Sequence, residues 1–429
     1  MRKFLSDLIQ DLSSLPKASV VIIVGNFINR LGHFVMPFLA LYLSRKGYSF
    51  TDSGLALATH GAGLLIAAFL GGYFADSIGR KNTILISLIG NGVSILALGC
   101  MDHLSGILIC SGLVGLTSGM YPPAANALIA DLVPESQRST AYASVRLAVN
   151  AGFACGAAMA GFLMKGPLWV LFVGDALTSL VYAVIVAALL PSLGAHRQTS
   201  ASIFKLVYDW KITFVDVARN PAYLRLLFSL LPIILVFMQI FSTLGVSIKK
   251  MGLDESYFGL LLAFNGGLII TLEIIITRLV KPIRKLWVMA LGFLLIGAGA
   301  AGFAWSETMS HLLLCIGILT FGEMLAFPTA MAYSAKLAPE KMRGRYMGLG
   351  TVNWSIGSLV APLVGLWLLE TFGSVSWVAC GVLGIIAATV ILWPLPFAYP
   401  YSKIQSPLFS NFIRFTPGEK RSFRFRCVS

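Results

Sequence analysis

Apolar stretches of about 20 residues recur along nearly the whole chain, and this restricts its fold more than any other feature. Such a stretch, coiled at 1.5 Å per residue, is as long as the hydrocarbon of a bilayer is thick, about 30 Å. Lipid offers no partner to backbone N–H and C=O groups, so each stretch must satisfy its own as a helix. Predicted spans fall at about 18–44, 52–75, 82–101, 104–129, 138–163, 167–190, 223–248, 257–279, 285–305, 309–334, 345–369 and 375–397. The expected fold class is therefore an all-α integral membrane protein with twelve transmembrane helices. With 57% hydrophobic and 12% charged residues, the chain is too apolar for a water-soluble globule.

The net charge of +14 would suit nucleic acid, but its placement suits a membrane surface instead. Of the 32 Lys and Arg, five lie in the loops of one side (Arg45, Lys46, Lys165, Lys249, Lys250) and two inside spans (Arg30, Arg146); the rest lie on the side of the termini. The positive-inside rule then puts both termini in the cytoplasm and the protein in the inner membrane, with no nucleic acid as partner. The first apolar run is too long for a signal-peptide core, so it is read as span one. The six cysteines, Cys100, Cys110, Cys155, Cys315, Cys380 and Cys427, have no metal spacing and read as packing residues; no metal is expected. No P-loop, nucleophile elbow or dinucleotide fingerprint is present, so the sequence gives no support to an enzyme or an ATP-driven machine.

The spans divide six and six. The expected organisation is an N-terminal bundle over 1–190, a cytoplasmic central loop over 191–222, a C-terminal bundle over 223–397 and a basic cytoplasmic tail over 398–429. Set 205 residues apart, Pro123, Pro134, Glu135 and Arg138 fall on Pro328, Pro339, Glu340 and Arg343. These are special residue types at the same span-to-loop junction, which argues for duplication into two pseudo-symmetric bundles. In such an architecture a substrate site lies between the halves near the midplane.

The loop after span two reads GYFADSIGRK, with Gly72, Asp76, Gly79, Arg80 and Lys81. It resembles the loop motif of the major facilitator superfamily, G-x3-D-R/K-x-G-R-K/R, departing from it at Ser77. The resemblance covers essentially the whole chain and implies that family's fold. It also implies a latch on the cytoplasmic side, in which Asp76 meets a neighbouring helix end and Arg80 an acid, with Glu135, Arg138, Glu340 and Arg343 in the equivalent junctions. The second-half loop keeps Arg284 and Lys285 but lacks the aspartate and glycines, so the latch is expected to be asymmetric. In span five Gly152, Gly156 and Gly161 resemble the antiporter motif of exporters, although Ala157 replaces its proline. Span eleven mirrors it with Gly357, Pro362 and Gly365. Small residues at this spacing let helices pack backbone to backbone.

Ionisable residues inside spans are costly and point to function. Arg30 lies about 18 Å along span one on a face with Asn26 and His33, and Glu323 about 20 Å along span ten. Arg146 and Asn150 lie one turn apart in span five, and Glu273 lies in span eight. The resemblance implies that spans one, four, seven and ten line the cavity, two, five, eight and eleven flank it, and the others face lipid. Glu323 is expected to exchange a proton while Arg30 meets it or a substrate anion. Asn126, Gln239 and Asn353, with Tyr121 and Trp354 as aromatic walls, are further cavity candidates. Ser111 stands where proton-coupled members usually carry an arginine.

The expected function is a secondary transporter, a monomer that exports small amphipathic, drug-like compounds by alternating access. It would use the proton gradient and no cofactor. Uptake of a small metabolite or anion, and a sensor that keeps the fold without flux, are the alternatives.

Overall fold

The computed structural model describes residues 15–191, 203–339 and 342–394. Side chains at 76, 135, 136, 139, 203–209, 343 and 344 also lie outside the described residues. Residues up to Trp393 form one compact unit. The basic tail called at 398–429 lies beyond the described residues.

Eleven described stretches are long and apolar enough to cross a membrane. The last, Arg345–Leu392, has 48 residues, and as one helix it would reach about 72 Å, more than twice the hydrocarbon thickness. It is two helices, parted by Gly373 at φ +62° and a 3-10 turn over Gly373–Trp377. Twelve spans result, as predicted.

Span one is α1 (Lys17–Leu31) and α2 (Val35–Arg45), and spans two to six are α3 (Phe50–Ser77), α4 (Arg80–Gly99), α5 (Leu104–Leu132), α6 (Glu135–Leu163) and α7 (Trp169–Leu189). The central segment holds α8 (Ile203–Ala218). Span seven is α9 (Pro221–Ser242) and α10 (Leu244–Lys250). Spans eight to twelve are α11 (Ser256–Leu279), α12 (Lys285–Gly302), α13 (Met309–Leu337), α14 (Arg343–Phe372) and α15 (Val378–Leu392). The duplication shows in the helix ends. α4 and α12 start 205 residues apart, and α5 and α13 both start and end at that offset.

Two features differ from the sequence reading. The central segment, expected as a polar loop, carries a helix because Trp210 and Val217, seven residues apart, share a face. Val217 is buried, and the Trp210 ring meets Phe69 of α3 at 5.6 Å. Spans one and seven are each broken rather than continuous. The span-one break, at Gly32 to Phe34, is held by Asp175 of α7, whose carboxylate accepts the Val35 N–H at 3.1 Å. It thus caps the buried start of α2. This gives a structural role to the acid on a helix that the family pattern turns toward lipid. The span-seven break, at Thr243, lies beside Gln239, which accepts from the Thr243 hydroxyl and donates to the Ala361 carbonyl at 2.9 Å.

The two halves pack together at the end of the molecule away from the termini, here the far end. Val35 to Leu43 of α2 are all buried. Phe38 packs edge-on against Phe258 of α11 at 4.9 Å, and a Cβ on Gly245 of α10 would come within 2.9 Å of Leu41. Along the seam, glycine is required where backbones touch: a Cβ on Gly61 of α3 would lie 2.4 Å from the Leu359 nitrogen, and one on Gly259 of α11 2.4 Å from the Ala157 carbonyl oxygen.

Candidate functional site

Between the halves lies a cavity of about 590 Å³, within the range of drug-sized ligand sites. Its first-half wall carries Arg30 and His33 at the span-one break, His60 of α3 and Asn150 of α6. Its second-half wall carries Asn265 of α11 and Glu323 of α13. Glu323 is the one carboxylate among the described lining residues, and it accepts a hydrogen bond from Asn265 Nδ2 at 2.9 Å. The same amide donates to Thr320 Oγ1 at 2.9 Å, so Asn265 holds the acid through a neutral contact. The Arg30 side chain makes no hydrogen bond or ion pair with any described residue. Asp175 is close enough to act on it electrostatically but is turned to the Val35 N–H.

The remaining wall is aromatic. Trp354 of α14 meets Phe237 of α9 at 5.6 Å, Phe237 meets Phe241 at 5.4 Å, and Phe241 meets Phe153 of α6 at 5.8 Å. Rings at such spacing form a rigid apolar face. Of the sequence candidates, the structure brings Arg30, His33, Asn150, Glu323, Trp354 and Pro362 to this cavity.

Others lie elsewhere. Span four supplies no lining residue, contrary to expectation, because Tyr121 is buried in a relay inside the first half. Its hydroxyl accepts from Asn26 Nδ2 at 2.7 Å and pairs with the Tyr182 hydroxyl at 2.8 Å. Asn26 is turned away with it, toward α5, and Asn126 is exposed outside the cavity. Gln239 is spent on the span-seven break, and Asn353 donates to the Leu227 carbonyl at 3.0 Å. Arg146 and Glu273 form an ion pair with each other, joining α6 to α11 across the halves.

The sequence reading missed Asn265, Phe237, Phe241 and Phe153. A signal existed for Asn265: Ile269 and Glu273 follow at four and eight residues, one face of a helix.

At the other end of the molecule, near the termini, Gly79 opens α4 at φ +93°, a conformation that favours glycine. Gly72 faces open space. Arg80 reaches Asp131 at the end of α5, at 3.0 Å. Lys81 donates to the Ala187 and Leu190 carbonyls, and Arg138 to those of Ala130 and Val133, each a cation at a helix C-terminus. The side chains of Asp76, Glu135 and Arg343, and all of Glu340, lie outside the described residues.

The small residues of span five work on two sides. Gly152 and Gly156 take the Phe27 and Leu31 carbonyls of α1, and Gly161 takes Gly259 of α11. In span eleven, Gly357 and Gly365 take Ile234 and Gln239 of α9.

At the far end, charges close the seam between the halves. Arg45 pairs with Glu255 at 2.7 Å and Lys165 with Asp254 at 3.2 Å, while Thr51 donates to Glu370 at 2.8 Å. The Ser256 N–H and hydroxyl, helped by Lys165, pull the Asp254 carboxyl down to about 2. Lys46, bonded to Asp102 at 2.8 Å, likewise holds that carboxyl below its usual range.

Comparison with known proteins agrees with this architecture. The profile described as Major Facilitator Superfamily matches residues 22–358 and 249–425. The chain belongs to this superfamily. It is a membrane transporter rather than an enzyme. It is 26% identical over 410 residues to a Na(+), Li(+), K(+)/H(+) antiporter of Planococcus maritimus, covering 86% of this chain and 94% of that protein. It is 22% identical over 390 residues to the multidrug resistance protein MdtH of Escherichia coli O157:H7, covering 87% and 92%. The fold matches a D-xylose-proton symporter with a TM-score of 0.71 at 15% identity (88% and 97% covered). It also matches a peptide transporter POT in complex with sulfate, with a TM-score of 0.71 at 15% identity (90% and 97% covered).

Proposed function

We propose that this superfamily member is a proton-linked exporter of small amphipathic compounds in the inner membrane. The observation that carries the reading is Glu323. An acid at membrane depth, held by a neutral amide in a cavity between two halves, is placed to exchange a proton as the cavity opens to one side and then the other. The aromatic wall suits apolar cargo, and sugars would call for more amides and hydroxyls than this lining holds. Relatives named as an antiporter and as a multidrug resistance protein add support. One chain encloses the whole cavity, which favours a working monomer. The placement of Lys and Arg favours the end with the termini as cytoplasmic.

In this orientation the sealed far end is the external gate. Export starts when cargo and proton site face the cytoplasm, and the Arg45–Glu255 and Lys165–Asp254 pairs must part for release. Inside-out vesicles acidified within test the reading. A fluorescent amphipathic dye should accumulate against its gradient, stop when an uncoupler collapses the pH difference, and fail to accumulate with Glu323→Gln. Accumulation that ignores the uncoupler would overturn the proton link.

Uptake of an anionic solute is the second reading, favoured by the unpaired Arg30. It predicts movement of a labelled organic anion with the proton rather than against it.

A further inference from the structure

The cavity walls carry opposite charges, and the cargo should carry both. On the first half, the Arg30 guanidinium faces the cavity with no partner among the described residues. Beside it are His33 and His60, and the buried Nε2 of His60 also lacks a hydrogen-bond partner. Asp175 acts on the guanidinium only from a distance, and a cation at membrane depth with no direct ion pair marks a place for a ligand charge. A planar guanidinium takes carboxylates best, through paired N–H groups. On the second half, Glu323 accepts one hydrogen bond, from the Asn265 amide, while Arg146, paired directly with Glu273, acts on it only from a distance; carboxylate lone pairs remain for an ammonium or a proton. The rings of Phe153, Phe237, Phe241 and Trp354 line the same cavity.

We propose that the cargo is an aromatic zwitterion, with its acid on Arg30 and the two histidines and its amine on Glu323. This rests on the reading of the cavity as the transport site and names its substrate class. It also joins cargo to proton: the amine and the proton compete for one carboxylate, so arrival of the cargo sends the proton to solvent. A purely anionic cargo would have the reverse effect, since a second negative charge near Glu323 would favour keeping the proton. An alkali cation, the cargo named for the Planococcus relative, fits poorly, because a hard cation favours charged oxygen ligands and this lining, beside a few neutral amide and hydroxyl oxygens, offers one carboxylate and also a guanidinium.

The test is a set of four probes on one ring system, titrated calorimetrically into the full-length protein in detergent: 6-(aminomethyl)-2-naphthoate, its methyl ester, its N-acetyl derivative and the doubly masked compound. The zwitterion should bind at least about tenfold tighter than either singly masked probe. Arg30→Gln should remove the penalty for the ester but not that for acetylation, and Glu323→Gln the opposite, while Arg30→Lys restores part of the ester penalty. The probe set on the unmutated protein stands even where a variant fails to fold. Equal affinities across the four probes, or binding by none, would overturn the proposal, as would a Glu323-dependent heat on adding Na⁺, Li⁺ or K⁺ alone. Binding needs no gradient, so a failed flux assay with the probe ranking intact refutes the transport reading and leaves the substrate class standing. The opposite pair of results does the reverse.

Discussion

The two halves follow one plan and do different work. Their helices keep a 205-residue register from Arg80 and Lys285 at the starts of α4 and α12 to Leu132 and Leu337 at the ends of α5 and α13. At the same offset, however, Arg80 pairs with Asp131 while Lys285 donates to the Ala332 carbonyl, and the counterpart of Asp131 is Lys336. The cavity walls differ in the same way, with Arg30 in one half and Glu323 in the other. Duplication supplied the helix frame, and the charges then diverged. The second half holds Glu323, the proposed proton site, and the first half the ion-paired loop.

The largest expected effect tests the division of the cavity. Glu323→Gln should lower gradient-driven transport at least about 100-fold, the scale of losing a proton-transfer group, whereas Arg30→Gln should keep its sensitivity to the gradient. Vesicle flux with and without an uncoupler separates the two.

Next come the loops that face the termini. Arg80→Gln should slow transport about tenfold by loosening the tie to Asp131, the scale of a charged hydrogen bond, and Lys285→Gln should change it less than about twofold. Equal effects would contradict the asymmetry of the loops.

A smaller effect tests the helix breaks. Asp175→Ala leaves the Val35 N–H uncapped and should cost about 1–2 kcal/mol of stability, read from thermal unfolding in detergent. Only the first half should suffer, because the span-seven break is held by Gln239.

The smallest effect concerns pH at the far end. The folded Asp254 carboxyl lies near 2, below its unfolded value, so the Lys165–Asp254 pair contributes fully above the unfolded value. Its contribution falls only as pH drops toward about 2. The short-distance population between spin labels at the neighbouring positions 166 and 251, which leave the pair intact, should therefore keep its size from pH 7 to pH 5. A loss in that window would exclude this pair as the fixed part of the seal.

The twelve spans, the repeat and the place of Arg30 and Glu323 were legible in the sequence, because hydropathy and intramembrane charge are properties of single residues or windows. The breaks in spans one and seven were not. Both depend on contacts distant in sequence, Asp175 with Val35 and Gln239 with Ala361, and an apolar window averages across them. The cavity wall was misread at span four for a related reason. A polar residue in a span satisfies itself with the nearest partner, and Tyr121 found Asn26 and Tyr182 inside its own half. The helix in the central segment was readable from Trp210 and Val217, but the charges around it have the pattern of a loop.

The central claim is that Glu323 gives up its proton when cargo arrives. Adding 6-(aminomethyl)-2-naphthoate to lightly buffered, detergent-purified protein with a pH-indicator dye tests it directly. The account predicts release of about one proton per bound molecule by the unmutated protein and none by Glu323→Gln, consistent with one carboxylate in the described lining. Equal release by both proteins, or binding by the unmutated protein with no release, would contradict it.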